Sequence, residues 1–122
     1  MSPEQPVRLG ALEQQVIDIL WDNGPQTIRE IITQLDNRLA YTTIATVLGN
    51  LERKQLVTAR RDGRSVRYCA RHSRGEHAAR LMDQALSASG DRAASMVHFI
   101  DTMAPSDLQL LRDYLDRRGD RS

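Results

Sequence analysis

Around Leu56 the apolar residues change their spacing from the helical to the alternating pattern, and this switch limits the chain to few folds. The alternation runs to Tyr68 and is interrupted by Asp62-Gly63, a dipeptide suited to a two-residue hairpin turn. A turn centred there predicts Val57 opposite Tyr68 and Ala59 opposite Val66 on an apolar face. Thr58 then faces Arg67, and Arg60 faces Ser65, on a basic face, with Arg61 and Arg64 flanking the tip. A lone hairpin is marginal in water and needs a body to pack on.

The residues before it supply that body as three short helical patterns. Gly10 with Glu13 marks the start of the first, whose stripe is Leu12, Val16, Ile19 and Leu20, widened by Ile17 and Trp21. Asn23-Gly24-Pro25 stops it. Thr27-Ile28-Arg29-Glu30 is a capping box that opens the second, with Ile28, Ile31, Ile32 and Leu35 on its buried face and an end near Asp36-Asn37. The third runs from Tyr41 to about Gln55, with Ile44, Val47, Leu48 and Leu51 inward.

Charge is unevenly placed along the chain. The formal net charge is +1 over 122 residues, but residues 1–37 sum to −4, 38–74 to +7 and 75–122 to −2. Basic charge concentrated in the middle third is what a phosphate backbone requires. On the outer face of the third helix, Thr42, Thr43, Ala45, Thr46, Gly49, Asn50 and Arg53 are small or hydrogen-bonding groups that can approach base edges. Three threonines in the opening turns weaken the helix, a local cost that binding would explain. Three helices followed by a basic hairpin is the order of a winged helix-turn-helix, whose third helix enters the major groove while the wing reaches flanking backbone. The expected DNA contacts are Tyr41, Thr42, Thr43, Ala45, Thr46, Asn50, Arg53 and Lys54 on the helix, and Arg60, Arg61, Arg64 and Arg67 on the wing.

Past a Ser73-Arg74-Gly75 linker, three more helices are expected. Ala78, Leu81, Met82, Ala85 and Leu86 mark one; Ala93, Met96, Val97, Ile100 and Met103, with Phe99 beside them, mark the next; Leu108, Leu111, Tyr114 and Leu115 mark the last. So short a segment does not readily build its own core. A second copy of the chain is the economical partner, with Leu81, Met82, Leu86, Met96, Val97, Phe99, Ile100, Leu108, Leu111 and Leu115 as dimer residues. The expected architecture is mainly α with a small β-hairpin: a leader over 1–8, a winged helix-turn-helix over 9–72 and a three-helix dimerisation segment over 73–122.

The run Leu9-Gly10-Ala11-Leu12-Glu13 to Trp21, the run Ala40-Tyr41-Thr42-Thr43-Ile44 to Leu51, and Met96-Val97-His98-Phe99-Ile100-Asp101 resemble the penicillinase repressor (BlaI/MecI) family. The resemblance spans about residues 8–117. It implies a dimeric repressor on palindromic promoter operators, often with a TACA/TGTA core and often governing β-lactamase genes. It also implies a membrane sensor metalloprotease as a partner of some members, with cleavage in the fifth helix, here at His98-Phe99. His98 departs from the staphylococcal members, which carry Asn before the Phe. A copper-sensing branch uses paired cysteines, and Cys69 is the one cysteine of this chain.

Other chemistries find little support. His72, His77 and Cys69 match no standard metal spacing, and no cofactor or metal is expected. The serines lack a nucleophile elbow or partnered His and Asp, so the chain reads as no enzyme. No apolar run reaches the roughly 18 residues of a membrane span, and the first twenty lack a signal-peptide layout, which predicts a cytoplasmic protein. Two alternatives stay open: a winged-helix adaptor for proteins, and a ligand-sensing regulator with Met82, Met96 and Met103 lining a pocket.

Overall fold

The computed structural model describes residues 9–119; the leader expected over 1–8 lies outside the described residues. The elements are α1 (Ala11–Asn23), α2 (Ile28–Gln34), α3 (Tyr41–Arg53), β1 (Val57–Asp62), β2 (Ser65–Ala70), α4 (Arg74–Ala88), α5 (Arg92–Asp101) and α6 (Pro105–Gly119). Two compact units are formed, one through Met82 and one from Asp83.

In the first unit, α1 starts at Gly10, whose N–H donates to the Glu13 carboxylate at 3.3 Å. It stops at Gly24, where φ of 77° is tolerated without a Cβ. Val16, Ile17 and Leu20 meet Ile28, Ile31 and Leu35 of α2 and its end, and Ile44, Val47, Leu48 and Leu51 of α3, with Leu56 and Val57 closing the core. Leu48 and Leu51 are wholly buried, positions at which truncation to Ala costs about 2–5 kcal/mol. Between α2 and α3 the chain turns through Asp36 and Asn37, at φ of 61° and 56°. Asp and Asn are the non-glycine residues that best tolerate this region.

The hairpin forms with a different register from the one expected. Asp62 pairs with Ser65, so the turn residues are Gly63 and Arg64, and Ala59 faces Tyr68 while Arg60 faces Arg67. Gly63 takes φ of 63° at the first central position, as a type II′ turn demands. The slip is two residues, so each side chain keeps its face. Val57, Ala59, Tyr68 and Ala70 still share one side and Arg60 and Arg67 the other, while Arg61 faces Val66 at the tip end of the apolar side. Tyr68 also exchanges two backbone hydrogen bonds with Gln26, at 2.8 and 3.0 Å, which adds a one-residue third strand beside β2.

Ser73-Arg74-Gly75 is not a linker but the start of α4. The Ser73 hydroxyl accepts from the Glu76 N–H at 3.1 Å, and the Glu76 carboxylate accepts from the Ser73 N–H at 3.2 Å. This reciprocal cap nucleates a helix at a position where Gly75 alone argues against one. The opening of α4 docks on α1: the buried His77 ring lies 5.4 Å from that of Trp21, whose Nε1 donates to the His72 carbonyl at 2.8 Å. Arg74 stacks over the same indole at 5.2 Å and pairs with Asp22 at 3.0 Å. His77 and the first half of α4 thus pack with the winged body, although the sequence groups them with the C-terminal helices.

In the second unit Asp91 caps α5 through the Ala94 N–H at 3.1 Å. Met103, expected on the α5 stripe, lies beyond the helix, which ends at Asp101. Pro105 disfavours helical geometry at Ala104 and opens α6 instead. No residue of α5 or α6 is buried. Met82, Met96, Val97, Phe99, Ile100 and Leu115 are all exposed, Phe99 at 52%, while Leu81, Leu86, Leu108 and Leu111 are half-buried. No helix among the described residues is long and apolar enough to cross a membrane.

Candidate nucleic-acid interface

The α2–turn–α3 geometry turns one face of α3 outward because its other face is spent on the core. Ile44, Val47, Leu48 and Leu51 are buried, which leaves Tyr41, Thr42, Thr46, Gly49 and Arg53 exposed and Thr43, Ala45 and Asn50 half-buried at the margin. Ala40 caps the helix without a side-chain acceptor, so the opening N–H groups of α3 donate to no capping side chain. Such amides suit an anionic oxygen.

Hydrogen bonds within this face fix what each group can still offer. The Thr46 hydroxyl donates to the Thr42 carbonyl at 2.9 Å, so its free capacity is as an acceptor. Arg53 donates to the Asn50 side-chain oxygen at 2.6 Å, which leaves the Asn50 amide nitrogen as a donor. Lys54 reaches back to Glu13 on α1 at 2.8 Å, so its ammonium is held by the protein itself.

The four wing arginines divide into two kinds. Arg60, Arg61 and Arg64 are exposed and form no ion pair with any described residue. Arg67 is half-buried and doubly engaged: Nη1 lies 2.8 Å from Glu30 and Nε 3.0 Å from Asp62. The register makes this necessary, because Arg60 directly faces Arg67 and like charges in that position repel. The bond to Asp62, then the charge of Glu30, holds Arg67 still more firmly protonated than usual. Glu30 in turn titrates below its ordinary range, through hydrogen bonds from Thr27 first and through Arg67 after them. On the inner face, burial raises the Tyr68 phenol.

The structure also brings forward residues that the sequence does not single out. Arg29, in the first turn of α2, lies 5.7 Å over the Tyr41 ring and so joins the openings of the two helices. The capping box at Thr27 places Arg29 in that turn, but nothing in the sequence shows its stacking partner. Gln26 has no legible signal, since a one-residue strand has no period. His72, weighed as a ligand, follows the end of the wing, and Cys69 pairs across the hairpin with Thr58 on the same face as Arg60 and Arg67; no group of three metal-ligating side chains forms among the described residues.

Comparison with known proteins gives a consistent result. The model of the family described as penicillinase repressor matches residues 9–117. The protein named transcriptional regulator BlaI in two strains of Mycobacterium tuberculosis is 44% identical over 111 residues, spanning 86% of this chain and 80% of its own. Among solved structures, a MarR family protein from Bacillus stearothermophilus superposes with a TM-score of 0.51 at 16% identity, over 94% of this chain and 76% of the other. The YusO protein of Bacillus subtilis gives 0.50 at 13% identity, over 93% and 77%. These likenesses agree with a winged-helix fold of mainly helical build with a two-stranded hairpin. From the match over residues 9–117 and the 44% identical relative, the chain belongs to the penicillinase repressor family.

Proposed function

We propose that this protein is a cytoplasmic transcriptional repressor that binds double-stranded operator DNA as a homodimer, with β-lactamase genes among its targets. The observation that carries the reading is the pairing, on one unit, of an outward threonine face on α3 with three exposed, unpaired arginines on the wing. Tyr41, Thr42, Thr43, Ala45, Thr46, Asn50 and Arg53 sit against bases and the nearest sugar-phosphates, and Arg60, Arg61 and Arg64 reach flanking phosphates. Lys54, paired with Glu13, lies at the margin of this surface.

Dimerisation through α4 to α6 is supported by their exposed apolar residues, which a single chain leaves in water. A two-fold dimer offers two reading helices to a palindrome. His98 and Phe99 are both exposed on α5, and cleavage of that bond by a protease acting with a membrane sensor would cut through the dimerising segment.

Fluorescence anisotropy with a labelled promoter duplex tests the central reading. Affinity is expected to fall at least tenfold between about 50 and 200 mM salt, as several neutralised phosphates require. A flat response, or an Arg61→Ala, Arg64→Ala double variant that binds unchanged, refutes it.

A further inference from the structure

We infer that Arg67 is a positioning residue that clasps the wing to α2, and that it makes no phosphate contact. This rests on the DNA-binding reading above for what the clasp serves, though the clasp itself is a property of the free protein. Arg67 meets two carboxylates with two separate edges of its guanidinium, Nη1 to Glu30 and Nε to Asp62. Together the three groups carry a net negative charge, so Arg67 adds little to the potential that draws in DNA. Turning it toward a phosphate would break two charge-assisted hydrogen bonds and bare Glu30 beside the polyanion.

Glu30 links three elements. The same oxygen that accepts from Arg67 accepts from the Thr27 N–H at 3.0 Å, so one carboxylate both caps α2 and holds β2. The next residue along, Tyr68, is bonded through its backbone to Gln26. The wing is therefore fastened at two adjacent points to the segment that starts α2. Since α2 packs on α3 through the core, this clasp sets the spacing between the base-reading face and the three free arginines of the wing. That spacing decides whether both sets of contacts can be made on one duplex.

The experiment measures operator affinity against salt for Arg67→Gln, Glu30→Gln, the double variant and Arg64→Gln, with amide hydrogen exchange of the wing in the DNA-free protein. Gln at position 30 keeps the cap, because its oxygen still accepts from Thr27. Arg67→Gln and Glu30→Gln should each weaken binding by roughly two- to fivefold, as the loss of an exposed ion pair would, with the double variant no worse than either. Their slopes of log affinity against log salt should match the parent, whereas Arg64→Gln should lose about 0.9 in slope. A similar loss of slope for Arg67→Gln, or tighter binding by Glu30→Gln, would overturn the inference. Should the parent not bind DNA in a salt-dependent way, the functional reading fails, and exchange alone decides the clasp: faster exchange in β1 and β2 of both single variants supports it, and unchanged exchange rejects it.

Discussion

Thr46 spends its only hydroxyl proton on the carbonyl of Thr42, so toward a duplex it presents lone pairs and a methyl group. A base partner must then be an exocyclic amine, on adenine or cytosine, or a thymine methyl. Thr46→Ala is expected to cost about 1–3 kcal/mol on the operator and little on random duplex, while Thr46→Val should recover the loss only where a thymine methyl is read. Equal losses on both duplexes for Thr46→Ala would show that the residue only orients the helix. Thr43 is less exposed, and Thr43→Ala should show the same selectivity with part of its effect on stability. At this scale the sequence reveals charge and donors but not partners. Arg61, Arg64 and Arg67 look alike as letters, and Lys54 looks as free as Arg53. Only tertiary placement hands Arg67 the carboxylates of Glu30 and Asp62, and Lys54 that of Glu13.

Elements were more legible, because caps and periods are local. The Thr27 and Glu30 box forms as spaced, with the Thr27 hydroxyl accepting from Glu30 N–H at 3.2 Å; α1 and α2 begin where their caps predict, and α3 begins at Tyr41, where its apolar period does. Thr27→Ala should lower unfolding stability by about 1 kcal/mol in urea titration. The hairpin register is not legible, because Asp62-Gly63 and Gly63-Arg64 satisfy the same glycine demand of a two-residue turn. The Ser73 and Glu76 cap has the spacing of a capping box, but Gly75 between them weakens the helical signal. A pH effect belongs to this junction. Burial, then the charges of His72 and Arg80, hold the His77 imidazole below its ordinary value of 6.5. The unfolded chain therefore takes up a proton before the folded one does, and stability contributed by neutral His77 is intact above about pH 6.5 and is lost as pH falls through the lower folded value. Melting temperature should drop below pH 6.5 in the parent, and His77→Gln should flatten that slope; an identical slope in both would exclude His77 as its source.

For the whole molecule, the compact unit that ends at Met82 tells where the chain can be divided. Cutting after Arg74 would remove His77 and strip its cover from Trp21. A fragment ending at Met82 should instead fold as a monomer that keeps every proposed DNA contact, yet bind a palindrome far more weakly than the dimer. Sedimentation of both chains, beside anisotropy on a duplex with half-sites about one helical turn or a small multiple apart, measures this. A full-length monomer at micromolar concentration, or equal affinity of the fragment, would refute it. The fold class was legible because the period switch near Leu56 admits few architectures. The tie of α4 to the winged body was not, since a stripe of apolar residues does not say which surface will cover it.

The pairing of Tyr68 with Gln26 has one more consequence. It occupies the outer side of β2 at its centre, so the sheet's long open edge is that of β1. That strand carries Arg60 and Arg61 side by side, and an approaching strand of another molecule would have to bring the same pair against them. Edge-to-edge stacking of wings into aggregates is thereby discouraged by repulsion. The arginines proposed to hold DNA would also keep the protein in solution when no DNA is present.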